Sequence, residues 1–227
     1  MLVLFDIGST LLEGPSKGPG SRLATAFGLP LHDQDRVSDL LFRNTYAGPD
    51  HLAERLAREF SLPLATARAE VRSLWAAQID EAYPLPGAHE ALDTVKAAGH
   101  TIAFVSNIWQ PFLEAFRRHF PHAYENCRGY YSFQMGISKP DPSIFRAALT
   151  DSGVEPDQTL VIGDTYQNDI RPGLSLGMSA IWVLHRPEKE KASITRVLNG
   201  KDHSPTLTLD NIAELTSQHL NGFRNLS

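Results

Sequence analysis

Leu2-Val3-Leu4-Phe5-Asp6-Ile7-Gly8-Ser9-Thr10 decides how this chain is read. Four apolar residues in unbroken succession, without the alternation of a half-exposed strand, are the pattern of a strand buried on both faces. The run ends on a carboxylate and then on small polar residues, as a buried strand does when it stops at a functional loop. The same design recurs: Thr101 to Val105 ends in Ser106-Asn107, Thr159 to Ile162 ends in Gly163-Asp164, and Ser179 to Leu184 ends near His185. Helical patterns lie between them: Ala91, Leu92 and Val95 closing at Gly99; Leu113, Phe116 and Phe120; Phe145, Ala148 and Leu149 closing at Gly153. Strands alternating with such helices predict an α/β fold, a parallel sheet with right-handed crossovers. The polar residues past the strand ends then gather on one edge, where open α/β sheets bind ligands.

From Pro15 to Tyr83 the alternation fails. Val37, Leu40, Leu41 and Asn44 fit one helical face, Leu52, Leu56 and Phe60 a second, and Leu64, Ala67, Val71, Leu74, Trp75 and Ile79 a third. The segment predicts a helical insert. Pro15, Gly18, Pro19 and Gly20 punctuate its beginning and Pro84, Pro86 and Gly87 its end, as expected of two hinge strands joining a lid to a core. Residues 1–14 with 86–227 form the expected core, and residues 15–85 the expected cap.

The chain has 227 residues, 42% hydrophobic and 21% charged, enough for one core with an accessory module and incompatible with a disordered chain. Its 21 Lys and Arg against 26 Asp and Glu give a net charge of −5, which offers no general positive field for nucleic acid. The single Cys127 excludes an intrachain disulfide, and no stretch approaches the roughly 18 apolar residues of a membrane span. Neither a basic leader nor a long apolar run precedes Asp6, so the expectation is a soluble protein of a reducing compartment, cytoplasmic in location.

Phe5-Asp6-Ile7-Gly8-Ser9-Thr10-Leu11-Leu12, then Val105-Ser106-Asn107, then Ser138-Lys139-Pro140, then Gly163-Asp164 with Asn168-Asp169, resembles the four ordered motifs of the haloacid dehalogenase superfamily. The resemblance covers essentially the whole chain, including Tyr83-Pro84-Leu85-Pro86-Gly87-Ala88, which resembles the family's exit from a helical cap. It implies a Rossmann-like core with a mobile helical cap, and Mg²⁺-dependent phosphoryl transfer from a small phosphorylated metabolite through an aspartyl-phosphate. Physical chemistry runs alongside. Asp6 ends a buried strand and needs a compensating cation or hydrogen bonds. Two carboxylates meeting at one sheet edge repel unless a hard cation sits between them. The expected ligands are Asp6, Asp164 and the main-chain carbonyl of Gly8, with Asp169 an outer ligand or a support for the inner ones. Lys139 would balance Asp6 and an incoming phosphate; Ser106 and the backbone N–H of Asn107 would hold phosphoryl oxygens; Thr10 would support the loop. Asp6 would then attack phosphorus in line. Taken singly these residues read otherwise: Asp164 as a turn former, Lys139 as a surface lysine, Thr10 as a cap, Asp169 as the N-cap of the next helix. Their order is what turns them into a set.

Gly8 departs from the family's pattern. Phosphatases of the superfamily carry a second aspartate there, two positions after the nucleophile, to protonate the leaving group and activate water. Its loss removes an acid–base group worth about 10²–10⁴ in rate. Three readings follow: a phosphatase that is slow, that takes a substrate with an undemanding leaving group, or that uses another residue such as Glu13; a hydrolase of another bond, as in dehalogenases or phosphonate-cleaving members; or a protein that binds a phosphorylated metabolite without turnover. Retention of Asp164 and Asn168-Asp169 argues against a dehalogenase. Substrate choice falls to the cap, where Lys17, Arg22, Arg43 and Tyr46 are polar candidates, with Trp109 a candidate for the pocket wall. The histidines show no metal-ligand spacing.

Overall fold

In a computed structural model, which describes residues 1–223, the four apolar runs form β1 (Leu2–Phe5), β4 (Thr101–Ser106), β6 (Thr159–Gly163) and β7 (Ser179–Val183). Two edge strands, β5 (Arg128–Tyr131) and β8 (Leu207–Leu209), complete a six-stranded parallel sheet in the order β5-β4-β1-β6-β7-β8. The sequence reading did not include these two. Arg128-Gly129-Tyr130-Tyr131 carries an exposed arginine and a glycine, and Leu207-Thr208-Leu209 spans three residues, so neither shows a continuous apolar run. Counted along the chain, the order is that of a doubly wound sheet whose direction of winding reverses at β1. Phe5 pairs in register with Phe104 on one side and Ile162 on the other, which brings the ends of β1, β4 and β6 level.

Side chains alternate between the two faces of the sheet and bury two cores. Val3, Phe5, Phe104, Leu160, Ile162 and Ile181 point to one face; Leu2, Leu4, Ala103, Val105, Val161 and Trp182 point to the other. The flanking helices are α5 (Ala88–Ala97), α6 (Gln110–His119), α7 (Pro121–Asn126), α8 (Ser132–Met135), α9 (Ser143–Ser152), α10 (Arg171–Ser175), α11 (Lys191–Leu198) and α12 (Ser217–Gly222). Helix α9 covers the second face through Ile144, Phe145 and Ala148.

Between β2 (Leu12–Glu13) and β3 (Tyr83–Pro84) lie four helices, α1 (Pro19–Ala26), α2 (Asp33–Phe42), α3 (Pro49–Glu59) and α4 (Leu64–Asp80). The two short strands pair antiparallel, Leu12 with Pro84 and Glu13 with Tyr83, where the chain leaves for the helices and returns. Helix α1 begins inside what reads as punctuation, because proline is tolerated in the first turn, where the missing N–H has no intrahelical partner. Asn44, placed by periodicity on the face of α2, lies beyond its end and donates through Nδ2 to the carbonyls of Asp39 and Leu40. Leu23, Val37, Leu52, Val71 and Leu74 of these helices join the first core, which runs without a break through Trp109 and Phe112 to Phe104 and Phe116. Among the described residues, no helix is long and apolar enough to cross a membrane.

Phe104 is fully buried at the middle of that core and packs edge-on against Phe116 at 4.9 Å. Phe104→Ala is expected to cost about 3–5 kcal/mol of stability in urea denaturation, through lost transfer energy and the cavity left behind.

Candidate active site

Asp6 leaves β1 with its backbone N–H bonded to the Ile162 carbonyl at 2.9 Å, one residue beyond the strand and level with the end of β6. Its carboxylate meets three donors. Oδ1 accepts from Ser106 Oγ at 2.9 Å and Lys139 Nζ at 2.6 Å, and Oδ2 accepts from Thr10 Oγ1 at 3.2 Å. Thr10 is positioned by a tight loop in which the Ile7 carbonyl receives the N–H groups of Thr10, Leu11 and Leu12. Ser9 takes the left-handed conformation there, at φ 59°. Ser106 ends β4, the neighbour of β1, so the level register delivers its hydroxyl to Asp6.

Lys139 comes from the loop between α8 and α9. Asn107 fixes it by two reciprocal bonds of 2.8 Å: its Nδ2 donates to the Lys139 carbonyl, and its Oδ1 accepts the Lys139 N–H. This side-chain role lies outside the sequence reading, which used only the Asn107 backbone. The lysine is 4% exposed, and its ammonium lies between Asp6 and Asp169, 2.5 Å from Asp169 Oδ1. Burial works against the charged form, but Asp169 and Asp6 outweigh it and hold the Lys139 pKa above its ordinary value.

Asp164 follows β6. Its carbonyl accepts from Trp182 Nε1 at 2.9 Å, its Oδ1 from Thr165 Oγ1 at 3.1 Å, and its Oδ2 from Arg186 Nη2 at 2.6 Å. Burial raises its pKa and Asp6 raises it further, against the pull of Arg186. Asp169 belongs to a π-type turn, Tyr166–Ile170, and its Oδ2 accepts the Thr165 N–H at 3.0 Å. The N-cap position of α10 is Ile170, so Asp169 turns back towards the cluster rather than capping the helix that follows. Burial pushes its carboxyl up, with Lys139 pulling the other way. The turn fits because residue 163 is glycine: a Cβ there would lie 2.4 Å from Asp169 Cγ.

Asp6, Asp164 and Asp169 are all buried, with one carboxylate oxygen of each within 4.8 Å of the others. The donor set is oxygen alone, without His or Cys, and so matches a hard divalent cation such as Mg²⁺. The cluster forms the floor of a cavity of about 350 Å³. Gly8, Glu13 and Arg186 line its rim, Phe42, Trp109 and Phe112 give it an apolar wall, and Gln78 reaches it from α4. Trp109 thus lines the cavity, braced by Trp75 edge-on at 5.5 Å and donating through Nε1 to Gln78 Oε1 at 3.1 Å.

The four polar cap candidates do not line this cavity. Lys17 and Arg22 border a separate hollow beside α1 and α4, where Arg22 pairs with Glu81. Arg43 Nε donates to Ser138 Oγ at 3.1 Å, tying the end of α2 to the loop that carries Lys139. The Tyr46 hydroxyl donates to the Leu40 carbonyl, and its backbone is held by Gln110. From the inserted helices the cavity is faced by Pro19, Phe42 and Gln78; the helical faces read from the sequence include neither Phe42 nor Gln78, and Pro19 reads there as punctuation. Arg186 was missed although the strand-end rule reaches it, two residues past Leu184 at the end of the fourth apolar run.

The structure is thus an α/β core with an acidic cluster and one buried lysine at the reversal point of a doubly wound sheet, beneath the inserted helices. The family model described as haloacid dehalogenase-like hydrolase matches residues 1–177, and the chain belongs to that family. A phosphoserine phosphatase from Thermus thermophilus is 44% identical over 64 residues, covering 27% of this chain and 26% of its own. The match therefore spans about a quarter of that relative. Among solved structures, a HAD phosphatase from Thermococcus onnurineus superposes with a TM-score of 0.63 at 18% identity, over 97% of this chain and 98% of the other. A 2-haloacid dehalogenase from Pseudomonas syringae gives 0.62 at 18% identity, over 100% and 99%. At that identity both speak for the fold alone.

Lys139→Met leaves Asp6 and Asp169 facing each other without their shared cation. It is expected to destabilise the metal-free protein by about 3–5 kcal/mol in chemical denaturation, the cost of breaking a buried pair from one side. Asp169→Asn in the same background should return part of that loss.

Proposed function

We propose that the protein is a Mg²⁺-dependent phosphatase of small phosphorylated metabolites, with residues 15–85 as a cap over a core of residues 1–14 and 86–227. The observation that carries this reading is the acidic cluster with Lys139 bonded to Asp6: a nucleophile, its counter-cation and a set of hard oxygen ligands on one cavity floor. Similarity to a phosphoserine phosphatase supports the same class of reaction. Asp6 and Asp164, with the main-chain carbonyl of Gly8, would hold the metal, and Asp169 would stand behind them. Bound there, the ion would neutralise phosphoryl oxygens and let two anions approach.

The chain's own residues supply the rest. Lys139 balances Asp6 against the incoming phosphate, and Ser106 with the Asn107 N–H holds phosphoryl oxygens. Asp6 attacks phosphorus, the bond to the leaving oxygen breaks, and water then hydrolyses the acyl phosphate. Thr10 keeps the Asp6 carboxylate oriented. Phe42, Trp109 and Phe112 exclude water from the side of the cavity nearest the inserted helices, which strengthens the charge interactions below them. A panel of phosphoesters assayed for phosphate release should show turnover with Mg²⁺, none with EDTA, and none for Asp6→Asn. Chloride release from a 2-haloacid alongside a silent phosphoester panel would instead favour the dehalogenase reading.

Gly8 leaves this scheme without the usual acid–base group. A Cβ at that position would meet nothing nearer than Phe112 Cε1 at 3.8 Å, so a side chain can be accommodated. Gly8→Asp is expected to fold normally and to raise turnover by about 10-fold or more, within the range of positioned acid–base catalysis. In the wild type, phosphorylated Asp6 should accumulate during turnover and be visible by intact-protein mass spectrometry, and the substitution should diminish that fraction.

A further inference from the structure

Two of the basic side chains in the cavity lining bond to the carboxylate cluster, and they are held in different ways. Lys139 is sealed: its side chain is 2% exposed, bonded to two aspartates and clamped through its backbone by Asn107. Arg186 is not. It lies past the end of β7 with its side chain 28% exposed, and it touches Asp164 through Nη2 alone, while its Nε is buried without a hydrogen-bond partner. A guanidinium settled in a structural role engages several of its five donors in a fork. This one makes a single short bond, and makes it to the Asp164 oxygen left over by Thr165. A divalent cation on the cluster would need an Asp164 oxygen as ligand, and a guanidinium within a few ångströms of such an ion repels it.

A second anion waits nearby. Glu13 Oε1 lies 4.0 Å from Arg186 Nη1, and its other oxygen lies 3.4 Å from His185 Nε2. Glu13 is the last residue of β2, paired with Tyr83 across the two strands through which the chain passes to and from the inserted helices. We propose that Arg186 is the resident counter-cation of Asp164 in the metal-free protein, displaced by the divalent cation and received by Glu13. Arg186 then sets the metal affinity of the site, and its transfer links metal occupancy to the strand pair beneath the lid. The inference rests on the proposed metal-dependent reading of the site. It assigns Arg186 and Glu13 as positioning residues, neither of which is among the motif residues of the sequence.

Calorimetric titration of the full chain with Mg²⁺ alone, without substrate, tests it. Arg186→Gln should bind Mg²⁺ at least roughly tenfold tighter than the wild type, because both the competitor and the repulsion are gone. Its metal-free melting temperature should fall, and saturating Mg²⁺ should close most of the gap. Arg186→Lys, which keeps the charge, should stay near the wild type. Glu13→Gln should weaken Mg²⁺ binding several-fold, and the effect should vanish in an Arg186→Gln background. Equal or weaker affinity in Arg186→Gln overturns the inference while leaving the metal-dependent phosphatase standing, since a merely structural arginine would weaken the site when removed. Unchanged affinity in Glu13→Gln overturns the role of Glu13. Mg²⁺ binding to neither wild type nor Arg186→Gln, or undiminished binding in Asp164→Asn, overturns the inference together with the metal site beneath it.

Discussion

The contact of the Lys139 ammonium with Asp6 and Asp169 is the constraint around which the site is built. Three buried carboxylates from the ends of neighbouring strands would otherwise drive that edge of the sheet apart. One lysine between two of them places a positive charge where they would otherwise face each other. The positioning of that lysine then governs its surroundings: Asn107, at the end of β4, bonds both its N–H and its carbonyl, and the turn from Thr165 to Ile170 closes tightly enough to aim Asp169 at it. Gly163 permits that closure. An alanine there would have its Cβ inside the Asp169 carboxyl group, so the last residue of β6 is set by a carboxylate six positions later.

The legible parts of the sequence share one physical cause. A parallel strand covered on both faces is apolar without alternation, so β1, β4, β6 and β7 announce themselves, and the polar residues at their ends fall together once the strands are aligned. Asp6, Ser106, Asn107 and Asp164 could be found in that way, because register alone brings them to one edge. What register does not determine stayed hidden. The edge strands β5 and β8 have one neighbour each, and Arg128 and Thr208 on them face solvent, so their pattern is diluted. The residues of the inserted helices that line the cavity are Pro19, Phe42 and Gln78, not the polar candidates Lys17, Arg22, Arg43 and Tyr46. A cavity wall reached by a helix's inner face looks like core in sequence, and the polar surface looks like a binding site.

Gly8 gains a physical setting in the same geometry. The space over it is bounded by the Phe112 ring, and the same ring and Trp109 continue the apolar core of the inserted helices to the rim of the site. The sheet face beneath the site and the helices that roof it are therefore parts of one hydrophobic cluster. The chain passes between the sheet and these helices only through the two-residue strands β2 and β3.

The charge of the cavity lining bears on what can enter it. The lining holds four acidic side chains, Asp6, Glu13, Asp164 and Asp169, against three basic ones, Lys139, Arg186 and Lys189, at the place proposed for a phosphate. Neither the lining nor the acidic chain as a whole, at −5, attracts such an anion. A divalent cation on the cluster would add positive charge to that lining, and this, more than any one contact, is the physical reason to propose a metal there. On the proposed reading, an ion at the cluster would make the charge of Arg186 surplus at Asp164, with Glu13 4.0 Å from its Nη1 as the nearest alternative partner.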